Sequence, residues 1–66
     1  MYYLYCNDSK GKSQLLGKFK DEYELIETAI KEKSNYYRVF GIDADDYIVL
    51  EFIDSKIVFP WYFINA

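Results

Sequence analysis

The tightest constraint on this chain is a shortage of helix relative to the apolar strand surface it must cover. Only residues 21–33 carry helical periodicity, whereas at least four runs are rich in aromatic and β-branched residues. Asp21 followed by Glu24 fits a capping box, with acids in the early turns and Lys31 and Lys33 in the last. Tyr23, Ile26 and Ile30, with Leu25 and Ala29, form an apolar stripe at three- and four-residue spacing. Ser34-Asn35 supplies a stop.

The strand signals are Tyr2 to Cys6, Ser13 to Phe19, Tyr36 to Ile42, Tyr47 to Ile53 and Ile57 to Phe59. Turn formers separate them at Asn7 to Gly11, Asp43 to Asp46 and Asp54 to Lys56. Gly17 marks a bulge or an early strand end, and Pro60 makes the last strand an edge, bulges it or stops it. Short turns between successive strands imply hairpins. The expectation is a single α+β domain over residues 1–66, in the order β-β-α-β-β with a less secure fifth strand. Its sheet is antiparallel.

Strand faces sharpen the problem. Tyr36, Phe40 and Ile42 share a face with Arg38, against Tyr37 and Val39; Ile48, Leu50 and Phe52 oppose Tyr47, Val49 and Ile53. A helix is roughly 10 Å across, while four or five strands at about 4.8 Å spacing span roughly twice that. One helix therefore leaves apolar sheet over. Either the sheet curls strongly on itself or another molecule covers the remainder. Eight Tyr, five Phe and one Trp in 66 residues favour the second outcome, because aromatics dominate interface energetics. The expected interface residues are Trp61, Tyr62 and Phe63, with Tyr36 and Tyr37 as a second patch.

Composition removes many chemistries. The chain has no His, hence neither a catalytic triad nor an imidazole metal site. Its single cysteine, Cys6, lies within an apolar run and reads as core rather than nucleophile. The glycines at 11, 17 and 41 are isolated and make no phosphate loop. Read as a calcium loop from Asp43, the sixth position is Ile48 instead of Gly and the twelfth is Asp54 instead of Glu. Asp43, Asp45 and Asp46 read better as a solvated turn. No enzymatic activity, metal or cofactor is expected.

Charge is unevenly placed. Net charge is −3 overall, but residues 1–20 hold Lys10, Lys12, Lys18 and Lys20 against Asp8. Such a basic hairpin can act as a contact surface, and Asp43, Asp45 and Asp46 can act as an acidic one. Start and finish of the chain show neither a basic leader with an apolar run nor a stretch long enough to span a bilayer. A cytoplasmic protein without membrane contact is expected. The hairpin, the Gly17-Lys18-Phe19 entry into the helix and the closing hairpin resemble small bacterial and phage accessory proteins. That resemblance carries no residue roles.

The functional expectation is a small protein-binding module, regulatory or inhibitory, that self-associates as a homodimer through an aromatic sheet face. Two other readings compete. One is a single-stranded nucleic-acid binder using Tyr3, Tyr5, Tyr37 and the lysine hairpin. The other is an acidic mimic of nucleic acid, built on Asp21, Glu24, Glu27 and the Asp43 to Asp46 turn.

Overall fold

The computed structural model describes residues 1–59. Five strands and one helix are arranged along the chain as β1 (Tyr2–Asn7), β2 (Ser13–Phe19), α1 (Glu22–Glu32), β3 (Arg38–Ile42), β4 (Ile48–Ile53) and β5 (Lys56–Phe59). This is the α+β order expected, with the fifth strand present. The strands form one antiparallel sheet in the spatial order β2-β1-β3-β4-β5. No helix among the described residues is long and apolar enough to cross a membrane.

The helix begins where its cap predicts. Asp21 is extended at φ −117°, and its carboxylate accepts from the Tyr23 amide at 2.9 Å. That bond satisfies one of the first-turn amides, while Glu22 and Glu24 complement the positive end of the dipole. At the other end, the Lys33 carbonyl accepts from the Ser55 hydroxyl at 3.2 Å, fastening the helix to the β4–β5 turn. Asp54 and Ser55 both have positive φ, 53° and 65°, which gives this two-residue turn the twist a hairpin favours.

The helix packs on one face of the sheet. Leu4 and Cys6 from β1, Val39 from β3, and Leu50 and Phe52 from β4 are buried there with Leu25 and Ala29 of α1. The predicted apolar stripe is rotated in the structure. Leu25 and Ala29 face the sheet, whereas Tyr23 and Ile30 are 66% and 52% exposed. Tyr23, Ile26, Glu27, Thr28, Ile30 and Lys31 line a groove of about 540 Å³ on the helix flank.

Gly41 sets how close the helix comes. It pairs with Leu4 on one side and Leu50 on the other, at the middle of the buried face. A Cβ at this position would lie 2.7 Å from Leu50 Cδ2 and 2.8 Å from Leu25 Cδ2. Both leucines are fully buried, so neither methyl has free space to retreat into. Gly41→Ala is predicted to overpack this contact and lower the unfolding free energy by about 1–3 kcal/mol. Urea denaturation checks it, and an unchanged midpoint would show that the helix seats elsewhere.

Three strands, β2, β4 and β5, shift register midway, the last with Val58 as its extra residue. Leu4 pairs with Gly17 but Tyr5 with Leu15, and Gly41 pairs with Leu50 but Ile42 with Ile48. In β2 and β4 the extra residues, Leu16 and Val49, are bulges, and both pack against the core from a half-buried position. Ile48 therefore shares the face of Ile42 rather than that of Leu50 and Phe52. A strict two-residue period predicts the reverse.

Candidate functional site: the helix-free sheet face

With α1 on one side, the opposite side of the sheet is bare of any described element. Register places its side chains in three rows. The first runs Lys18, Tyr3, Ile42, Ile48; the second Leu15, Tyr5, Phe40, Glu51; the third Ser13, Asn7, Arg38, Ile53, Lys56. The centre is aromatic. Tyr5 and Phe40 sit directly opposite each other on β1 and β3, with ring centroids 5.5 Å apart and planes 20° from parallel. The Arg38 guanidinium lies 4.0 Å from the Phe40 ring centroid, and its Nε donates to the Glu51 carboxylate on β4.

These four side chains support one another. Glu51 holds Arg38 over the Phe40 ring, and Phe40 in turn backs Tyr5. Both charged side chains are partly covered, Arg38 at 32% exposure and Glu51 at 15%, so their attraction is less screened than in an open surface pair. The result is a patch whose side chains brace one another. Little side-chain entropy is left to lose when something binds it. Leu15 and Ile48, 43% and 39% exposed, extend the patch toward its margins.

Charge is segregated by face. Lys18, Arg38 and Lys56 lie on the helix-free side with Glu51, whereas the acids of α1 lie on the other. Two loops carry further charge. In the β1–β2 loop, the Asp8 carboxylate accepts from the amides of Lys10 and Lys12, both at 2.9 Å. In the β3–β4 loop, the Asp43 carboxylate accepts from Asp45 and Tyr47, both at 3.0 Å. Each loop also has the first amide donating to the fifth carbonyl, the fourth amide donating to the first carbonyl, and a positive φ at its fourth residue. The two loops are one backbone frame used twice, closing two hairpins whose inner strands pair antiparallel. The Asp43 carboxylate thus organises its own turn, and no cluster of three metal-ligating side chains occurs among the described residues.

Other sequence-predicted residues are dispersed. Tyr36 is half-buried on the helix side against the core, beside Cys6, while Tyr37 is 54% exposed. The chain bends before β3 starts at Arg38, so Tyr36 does not share the face of Phe40. Lys10 and Lys12 occupy the β1–β2 loop, Lys18 lies on edge strand β2, and Lys20 comes just after it. Trp61, Tyr62 and Phe63 lie outside the described residues. Phe40, Arg38, Glu51 and Leu15 were not among the predicted site residues. Pairing across β1, β3 and β4 is what brings them together.

Burial raises the pKa of Cys6, helped by the charges of Glu32 and Asp8 and opposed by a hydrogen bond with Tyr36. Burial likewise raises Tyr36, with smaller contributions from Cys6 and Glu32. Folding therefore favours the protonated thiol and phenol. The associated stability is complete below the unfolded thiol's range and is lost as pH rises through the raised folded values. The unfolding midpoint is predicted to fall as pH rises from about 8 to about 11, and Cys6→Ala with Tyr36→Phe should flatten that fall. An identical alkaline decline in the double variant would show that neither group carries it.

The chain matches no protein-family model, no curated protein and no solved structure.

Proposed function

We propose that the protein is a small, non-enzymatic protein-binding module, regulatory or inhibitory in role, and that it binds through the helix-free sheet face. The observation that carries this reading is the braced central patch of Tyr5, Phe40, Arg38 and Glu51. It combines aromatic area and an arginine, residue types enriched where proteins meet, with an apolar margin of Leu15, Ile42 and Ile48. A sheet curled around the helix suits this reading, and the bulges at Leu16 and Val49 are the features that would bend it.

A second reading has its own support. Lys18 beside Tyr3, with Lys56 and Arg38 on the same face, suits an aromatic platform for single-stranded nucleic acid. Glu51 at the centre of the face and a net charge of −3 weigh against it. The acidic mimic is less favoured, because Asp43 is engaged in its own loop.

A photo-crosslinking residue in place of Leu15, compared with one in place of Tyr23 on the helix flank, tests the choice of face. A discrete protein adduct from position 15 and none from position 23 is predicted in the cell of origin. Adducts from position 23 alone, or a nucleic-acid adduct from position 15, would overturn the reading.

A further inference from the structure

We propose that the partner on the helix-free face is a second copy of this chain, laid crosswise so that the β1–β2 loop of each copy meets the β3–β4 loop of the other. This rests on the sheet face being the binding surface, and adds the identity and orientation of its occupant.

The two loops point to this arrangement. They share one backbone frame but carry opposite charge. Asp8, Lys10 and Lys12 sum to +1, whereas Asp43, Asp45 and Asp46 sum to −3. Because β1 and β3 run antiparallel, the loops leave the sheet at opposite ends. Because β2 flanks β1 and β4 flanks β3, they also lie on opposite sides of the β1–β3 centre line. One face therefore has a basic corner and an acidic corner across its diagonal. Lys10, Lys12, Asp45 and Asp46 are all exposed.

A dimer with two-fold symmetry presents the same patch on both partners, so the patch must complement itself. For two faces packed together, the axis lies in the plane between them. An axis perpendicular to the strands would set the basic loop against the β2 end of the partner, with Lys18 and Lys20. That juxtaposition is repulsive. An axis along the strands would set it against the β4–β5 turn, where Asp54 and Lys56 offset one another. A diagonal axis exchanges the basic and acidic corners. It forms both attractive contacts at once and turns the strands of one copy roughly 90° to those of the other, a known mode of sheet packing.

The diagonal axis also passes near the Tyr5–Phe40 pair, so the aromatic centres of the two copies meet. The face measures about 19 Å across its four strand spacings and about 20 Å along a six-residue strand. In projection that is about 380 Å² per copy, below the size of a standard stable interface, so the dimer is weak and reversible. Exposed charge pairs add little affinity but select orientation. The loops therefore fix the crossing while the aromatic centre supplies the attraction.

Sedimentation equilibrium over a concentration series tests this, using the intact chain and two loop variants. The first is Lys10→Glu/Lys12→Glu, which changes the basic loop to −3. The second is Ala44→Lys/Asp45→Lys/Tyr47→Lys, which changes the acidic loop to +1. All five replaced side chains are exposed, and Asp8, Asp43 and both positive-φ positions are left intact. Circular dichroism verifies that each variant folds.

The wild type is predicted to be a dimer, and each variant alone to dissociate with a constant raised about tenfold or more. An equimolar mixture of the two should recover the dimer, since both corner contacts are again between opposite charges. A dimer indifferent to both changes would overturn the crossed arrangement, as would growth beyond the dimer. A monomer at every concentration would overturn the second copy as partner. A monomer that still gave an adduct with another protein from position 15 would leave the sheet face standing as a binding site.

Discussion

The close seat of Leu25 over Gly41 governs the layering of this small domain. The absence of a side chain at Gly41 lets the helix lie against the middle of the sheet, where Leu25 and Leu50 close over β3. That one contact fixes which face is core. It also explains why the buried residues of α1 are Leu25 and Ala29, spaced by one turn, and why Tyr23 and Ile30 are left on the flank. A Cβ at position 41 would lift the helix and loosen the burial of every residue beneath it. Among the described residues one face is covered and the other is not, and Gly41 sets how closely the cover lies.

On the bare face, polar and aromatic groups take over the organising role. Arg38 bridges from β3 to Glu51 on β4 and rests on Phe40, which meets Tyr5 on β1. Three strands are thereby tied by side chains on the face away from the core. The arrangement braces an aromatic surface that no other described element covers. Such bracing lowers the entropic cost of binding and gives the surface a defined shape.

Much of the fold can be read from local signals. Asp21 accepts hydrogen bonds well only at a helix start, and the paired lysines fit only its end, so chemistry sets the helix boundaries within one turn. The hairpin turns are legible from Asp, Ser and Gly for the same reason. Side-chain placement is less legible, for identifiable causes. Residues 23, 26 and 30 and residues 25 and 29 are both apolar at helical spacing, so periodicity does not choose between them. Ile48 and Leu50 share parity, yet the bulge at Val49 sends them to opposite faces. Tyr36 leaves the face of Arg38 because the chain bends before the strand begins. The candidate site was the least legible part, since Tyr5, Phe40 and Glu51 come from three separated segments and meet only through register. The shared loop frame was hidden too, because Asp-Ser-Lys-Gly-Lys and Asp-Ala-Asp-Asp-Tyr have only their first residue in common.

The central claim is that the helix closes one face of the sheet and leaves the Tyr5–Phe40 face open to a partner. Nuclear magnetic resonance with a soluble paramagnetic probe, recorded at high dilution, measures this most directly. The ring protons of half-buried Tyr5 and Phe40 should be broadened, less than those of exposed Tyr23 but clearly, while the methyls of Leu25 and Val39 stay sharp. Rings of Tyr5 and Phe40 as protected as Leu25 at the same dilution would contradict the account, because the face would then be closed within a single chain.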